Sequence, residues 1–409
     1  MHRIKELAFL YILILPLILS AQDLPLLLDI SPSPYLNGVA GTGTALQTTD
    51  AFAFYYNPAQ LGNLNDHANF SLHFYPDKVS IFSDGKPDYR ATAVSLGYQF
   101  SGRGAKNALS LGIGYIDGEL NGGEIVYRDS SATEIGRALS LEFYDLFAIG
   151  LGFEYFFKIN IGFTYKRISS NRGLDILPDE RLIRIQQEYT AVDYGLLFIL
   201  PMRRFLPQQW MNHIKEMTIK PNASFSLGYA LRNFGDEIDF NPQTPNEPLP
   251  RSASLGYSLN AELETSWRNK RFKIVSLNWS VQADDQLVKR EGASFSYQSI
   301  IGDINVGKNV ISATGDKNVI SRKGLALELA DFFHYTWGWY SGGPYSRKNV
   351  NGFGFRTKAI FKLLKKPYQR SYLDFIYDHV DIAYNKSTYY IDNEFKTDYH
   401  GISVVISGW

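Results

Sequence analysis

Side chains along most of this chain alternate with period two, and the alternation is of a particular kind. Leu109, Leu111, Ile113 and Tyr115 are separated by Ser110, Gly112 and Gly114. Val94, Leu96, Tyr98 and Phe100 enclose Ser95, Gly97 and Gln99, and Ile159, Ile161, Phe163 and Tyr165 enclose Asn160, Gly162 and Thr164. Successive side chains on a strand point to opposite faces, so each such stretch has one oily face and one small or polar face. In a soluble sandwich the face away from the core carries many charges. Here it is mostly Gly, Ser, Thr and Asn. A membrane barrel needs an outward apolar row, aromatic girdles and a packed or polar lumen, and this pattern supplies them. Alternation alone is shared with soluble all-β proteins, so the choice rests on what precedes the strands.

Arg3 and Lys5 lead into a nearly unbroken apolar run from Leu7 to Leu19, followed by Ser20 and Ala21. This is the layout of a secretory signal peptide, with cleavage expected after Ala21. The run is shorter than the roughly 18–20 residues that span a bilayer as a helix. Nothing later in the chain is apolar enough for a membrane helix. Only helices and closed barrels satisfy every backbone polar group in lipid. The expected fold is therefore all-β: a transmembrane antiparallel β-barrel of about 14 strands with an N-terminal plug segment, in the outer membrane of a Gram-negative-type envelope. The division is signal peptide 1–21, plug 22–66 and barrel 67–409.

The strands are expected near 67–76, 89–101, 107–117, 141–154, 158–169, 187–200, 217–232, 250–263, 271–284, 322–331, 334–341, 350–361, 371–385 and 396–409. An even number returns both termini to the periplasmic side. Connections such as Ser101–Asn107 and Phe156–Lys158 are then periplasmic turns, and Gly118–Ala138, Ser170–Gln186, Asn233–Pro250 and Gln286–Ser321 are outer loops. Between Pro201 and Met217, Leu206, Trp210, Ile214 and Met217 recur at helical spacing, which predicts a short amphipathic helix at the membrane interface. Lys308–Ser312 is repeated as Lys317–Ser321, which reads as an outer hairpin.

Composition excludes several functions. There is no cysteine, hence no disulfide, thiol nucleophile or thiolate metal site. Forty-one Lys and Arg balance forty-one Asp and Glu, so nothing points to nucleic acid. The seven histidines, His2, His67, His73, His213, His334, His379 and His400, lack metal-ligand spacing. No nucleophile elbow is present. No cofactor, metal or catalytic residue is assigned, and the protein reads as a non-enzyme whose partners are outer-membrane lipid and other proteins.

The stretch that carries function on this reading is Tyr35–Gly62. Gly38, Gly41 and Gly43 at its front allow close approach to a wall of small residues. Phe52, Phe54, Tyr55 and Tyr56 need apolar contacts, and each hydroxyl needs a partner. Asn57, Pro58 and Ala59 set the turn by which the chain leaves the lumen. A segment held at one end and by packing is expected to shift when a partner or ligand binds; a fixed plug is the alternative. At the other terminus, Val404, Ile406 and Trp409 form the expected signal for the barrel assembly machinery. Trp409 has the wrong parity for that face unless Gly408 permits a bulge.

The run Ile30-Ser31-Pro32, the small residues Gly38 to Ala45, and Phe54-Tyr55-Tyr56-Asn57-Pro58-Ala59 resemble the opening of the PorV/PorQ family, which is related to FadL-type barrels. Gly324–Leu329 and the strand after it resemble the late hairpin of these barrels. The resemblance implies a fourteen-stranded barrel with its N-terminal segment in the lumen. It implies a type IX secretion component that binds or shuttles exported proteins or secretion-machinery subunits. The FadL-type alternative is transport of hydrophobic small molecules. Large apolar residues on the inward face would favour transport, and the inward positions identifiable from sequence are mostly small or polar.

Overall fold

The computed structural model describes residues 26–64, 68–81, 87–100, 107–128, 131–176, 182–205, 212–214, 217–235, 237–238, 246–267, 270–291, 294–364, 372–390 and 396–409. The expected signal peptide, His67, Leu206 and Trp210 lie outside these residues. Fourteen antiparallel strands close a barrel: β1 (Ala68–Phe74), β2 (Asp88–Phe100), β3 (Ala108–Arg128), β4 (Glu134–Glu154), β5 (Lys158–Ile176), β6 (Leu182–Pro201), β7 (Met217–Gly235), β8 (Ser252–Trp267), β9 (Lys270–Gln286), β10 (Val319–Leu329), β11 (Phe333–Gly342), β12 (Tyr345–Arg356), β13 (Val380–Tyr390) and β14 (Lys396–Ser407). Each pairs with its neighbour in sequence, and β14 pairs with β1. Val79–Ser80 adds a short rung beside β2, and Asn212–Ile214 beside β7.

The outward rows form a lipid belt. Leu109, Ile113, Phe147, Ile149, Leu151, Phe153, Ile161 and Leu196 are each between 44% and 55% exposed. Aromatic pairs bracket it: Tyr98–Phe100 and Tyr155–Phe156 at the end that carries the termini, with ring centroids 4.9 and 4.2 Å apart, and Tyr115–Phe147, at 4.9 Å, towards the opposite end. A closed wall with such a belt is an outer-membrane β-barrel.

Beyond the belt the apolar face changes sides. Outward on β3, Leu109, Leu111, Ile113 and Tyr115 give way to Asp117 and Glu119. Inward, Ser110, Gly112 and Gly114 give way to Ile116 and Leu120, which are 0% and 4% exposed. Tyr115 donates its hydroxyl to Asp145 Oδ1 at 2.6 Å, at the level where this change occurs. Parity is constant; the surroundings change from lipid outside to a packed lumen inside. β3 and β4 are 21 residues each, β5 is 19 and β6 is 20. A spanning strand needs only about 9–11 residues, so this side of the barrel projects well past the membrane.

The structure corrects several expectations. Gly118–Ala138 and Ser170–Gln186 are mainly strand, because backbone pairing continues where the outward face turns polar. The twelfth strand begins at Tyr345 rather than 350 and the thirteenth at Val380 rather than 371. Between them lie helices Lys358–Leu364 and Tyr372–His379. The described part of Pro201–Met217 is a 3-10 turn, Met202–Phe205, and a strand rung containing Ile214, so no helix forms on that spacing there. Of the two similar pentapeptides, Lys308–Ser312 lies largely in a π-helical turn, Val306–Ile311, while Lys317–Ser321 runs into β10; the hairpin in this loop is instead Val288–Glu291 with Ser294–Tyr297. β14 ends at Ser407, and Gly408, at φ 71°, turns the chain so that Trp409 is 56% exposed and off the strand.

Candidate functional site

Residues 26–64 fill the lumen, and their seat is written into the wall as a track of glycines. Gly97, Gly112, Gly150, Gly162 and Gly195 face inward on β2 to β6 and stand directly opposite one another in register. The segment from Asn57 to Leu64 lies along them. A Cβ at Gly195 would overlap Asn57 Oδ1, one at Gly162 the Pro58–Ala59 backbone, one at Gly112 the Leu61 carbonyl, and one at Gly97 would reach 2.6 Å from the Leu64 side chain. The absence of side chains on the track lets backbone meet backbone.

Asn57 holds the start of this seat. It is extended, at φ −153°, as the residue before a proline prefers. Its Oδ1 accepts from the amide of Ala59 at 3.0 Å and caps the 3-10 turn Pro58–Gly62. Its Nδ2 donates to the carbonyls of Thr44 at 2.7 Å and of Leu196 on β6 at 3.1 Å. One buried side chain thus joins the front of the segment, its turn and the barrel wall.

The other sequence-predicted residues have distinct places. Gly38 ends helix α1 (Pro34–Gly38), where a Cβ would overlap Thr336 on β11. Gly41 has φ 74° and takes part in a tight turn whose preceding residue, Ala40, is also left-handed at 60°. Gly43 packs on the ring of Tyr56, within the segment rather than on the wall. Tyr55 and Tyr56 end helix α2 (Ala53–Tyr56); the Tyr55 hydroxyl donates to the Leu28 carbonyl at 2.8 Å, and that of Tyr56 meets Ser31. Ala59 packs with Leu197 and Ile199. Val404 and Ile406 belong to the outward row of β14, apart from this site.

The segment is not attached at one end by packing alone. Polar bonds tie it to the wall around the circumference. Thr42 meets Ser280 at 2.6 Å, the Thr44 amide donates to Gln282 at 3.0 Å, and Ser226 donates to the Ala45 carbonyl at 2.8 Å. Arg322 donates to the Ala40 carbonyl at 3.2 Å, and the Leu27 amide to Glu142 at 2.9 Å. Asp50 lies 2.6 Å from His73 Nδ1 on β1, and it accepts from Ser33, the cap of α1. Burial by itself would raise the Asp50 carboxyl, but the His73 ring, its hydrogen bond, the Ser33 hydroxyl and the Phe52 amide together hold it below its ordinary range. These wall partners were not legible from sequence, because which inward polar residue meets which segment atom depends on register.

Two further features flank the segment. Towards the terminal end a cavity of about 840 Å³ opens beneath it, lined mostly by polar and charged residues. An ion-pair chain crosses its wall: Glu262–Lys273 at 3.5 Å, Lys273–Glu328 at 3.1 Å, Glu328–Arg356 at 2.8 Å, and Arg356–Asp381. Tyr35 of the segment rests edge-on against His334 at its roof, with centroids 5.4 Å apart. The signal for this chain was present in sequence: Glu328 interrupts the small inward set Gly324 and Ala326 beneath the outward leucines of β10. The second feature is a seam. β1 and β14 share six ladder pairs, from Asn69↔Ser407 to Phe74↔Ile402. Beyond them Lys396–Gly401 pairs with β13, and Thr397 Oγ1 donates to the Ile81 carbonyl across the gap at 2.8 Å.

No family model matches the chain, and no curated protein matches it. The likeness to the PorV/PorQ family therefore stays a resemblance. Among solved structures, the toluene transporter TbuX of Ralstonia pickettii is similar at 13% identity and a TM-score of 0.42, over 93% of this chain and 99% of that one. A FadL homologue of Pseudomonas aeruginosa is similar at 9% and 0.41, over 93% and 99%, and the toluene transporter TodX of Pseudomonas putida at 8% and 0.41, over 94% and 100%. The likeness is one of fold alone.

Proposed function

We propose that this barrel carries small hydrophobic molecules through the outer membrane, with residues 26–64 as its gate. The observation behind the reading is the lining of the projecting half of the lumen. Tyr89, Ile116, Leu120, Tyr144, Leu146 and Ile168 all face inward and are at most 4% exposed. Displacement of the segment would bare an apolar, hydroxyl-dotted surface of the kind that takes hydrophobic ligands. The sequence had suggested small inward residues because the positions read there lie within the lipid belt. Where β1 meets β14 only six ladder pairs separate lumen from lipid, as few as between β12 and β13, and such a short ladder suits sideways release of a hydrophobic ligand.

A second reading has its own observation. On the projecting wall Ile135, Leu139 and Phe143 are 38%, 44% and 37% exposed, facing away from the lumen above the belt. Apolar side chains there suit a protein partner, as a secretion component requires. A strain lacking the protein separates the two. Slowed uptake of a labelled fatty acid or monoaromatic compound with normal secretion supports transport. Normal uptake with loss of exported proteins from the surface reverses the order.

A further inference from the structure

Helices α3 (Lys358–Leu364) and α4 (Tyr372–His379) lie at the terminal end, in the connection between β12 and β13. α3 reads KAIFKLL, with two lysines and no acidic residue. Ala359 is buried, whereas Ile360 and Leu364 are 41% and 57% exposed. On α4, Leu373 and Phe375 are 38% and 46% exposed. The pair is fixed in place: Phe361 meets Tyr377 at 6.1 Å between centroids, and His379 Nδ1 lies 2.8 Å from the Ser407 carbonyl at the end of β14. Ile360, Leu364 and Phe375, large apolar side chains on two anchored helices, are thus exposed, with the Phe375 ring 5.0 Å from that of His379 on the same helix.

Their height in the molecule identifies what covers them. Thr357, just before α3, donates its amide to the carbonyl of Ile382 at 2.9 Å, and Ile382 is in the lipid-facing row, 39% exposed. Phe332 and Phe355, tilted against each other with ring centroids 5.7 Å apart and 39% and 43% exposed, mark the rim of the lipid belt in the same sector. The exposed side chains of α3 and α4 therefore continue the belt past its terminal edge. We propose that the two helices lie in the headgroup–acyl boundary of the phospholipid leaflet at this end and anchor the barrel mouth there. Neither is long enough to cross a membrane. α3 brings two lysines, of which Lys358 lines the cavity, and α4 brings Asp374 and Asp378, so the apolar side chains rather than net charge place the helices in the interface.

The absence of cysteine makes a clean test possible, since one introduced thiol is the sole labelling site. Leu364→Cys and Phe375→Cys would carry a nitroxide in the full chain, reconstituted in vesicles of phosphatidylethanolamine and phosphatidylglycerol. Leu151→Cys, in the lipid belt, and Ile311→Cys, 71% exposed on a loop at the opposite end, are the lipid and water references. Heat-modifiable migration confirms that each variant is folded. At 364 and 375 the label should be several-fold more accessible to oxygen than to a water-soluble nickel complex, as at 151. Labels as open to nickel as at 311 overturn the proposal. Labels closed to both reagents also overturn it, because protein rather than lipid then covers the helices.

Discussion

At the residue scale, the seat of the segment depends on atoms that are absent as much as on atoms present. Gly195 faces Asn57, and Asn57 makes three hydrogen bonds to otherwise buried backbone groups. Each such bond contributes about 1 kcal/mol, and a buried partner left unpaired costs about as much again or more. Asn57→Ala is therefore expected to weaken the docked segment by roughly 2–4 kcal/mol, and Gly195→Val by about 1–3 kcal/mol through overpacking. Both should lower the temperature at which purified barrels lose their compact gel migration, without preventing insertion. Unchanged migration in both would show that the track is not the seat. Asp50 gives a pH dependence with a definite sign. Its folded carboxyl is held below the ordinary value of 3.8, so its contribution is present above that value and is lost as pH falls through the lower folded one. Leakage of the barrel should rise below pH 3.8, and in Asp50→Asn it should be raised already at neutral pH and lose that acid step. A wild-type barrel equally tight at acid and neutral pH would remove this latch.

At the scale of the element, the strands were legible and their neighbours across the wall were not. Period-two alternation finds fourteen strands, the thirteenth set too early over a helix, because lipid on one side and a tight lumen on the other force large and small residues to alternate. It fails where that contrast ends. Past Tyr115 the outward row becomes Asp117 and Glu119, and a reader following oily positions sees a loop where β3 continues to Arg128. The helices α3 and α4 were missed for a related reason: Phe361, Tyr372 and Phe375 are aromatic enough to resemble a girdle. The five-glycine track was present in sequence as separate small residues, but its alignment needs register, which no single strand contains. The last strand carries an elemental prediction. Ile402, Val404 and Ile406 are its lipid-facing row, while Gly408 and Trp409 lie beyond it and the Gly408 amide donates to the Ala68 carbonyl at 2.8 Å. Deleting Gly408-Trp409 removes that closing bond and the terminal aromatic, and should reduce insertion by the assembly machinery while leaving the ladder residues intact. Full insertion of the shortened chain would place the signal within Val404 and Ile406.

At the scale of the whole molecule, the lumen has two unlike halves with the segment between them. One half is lined by buried tyrosines and aliphatic residues on the tall strands. The other is the polar cavity of about 840 Å³ that opens at the terminal end. Its lining holds eight carboxylates, Asp50, Glu154, Glu262, Glu264, Glu328, Asp331, Asp378 and Asp381, against four basic groups, Lys158, Lys273, Arg356 and Lys358. An intact barrel in a planar bilayer should pass little current, since the segment is bonded to the wall on several sides. Deleting Pro34–Asp50 removes α1, the Ala40–Gly41 turn and Asp50, but leaves the Asn57–Gly62 seat to hold the rest in place. The shortened barrel should conduct. Seven carboxylates then face the same four basic groups, and a low-dielectric wall focuses that imbalance on the pore. The current should therefore favour cations, and the preference should weaken as salt screens the wall. A closed pore after the deletion would refute the segment as the seal. An anion-preferring pore would show that the permeating ions bypass this cavity and its carboxylates.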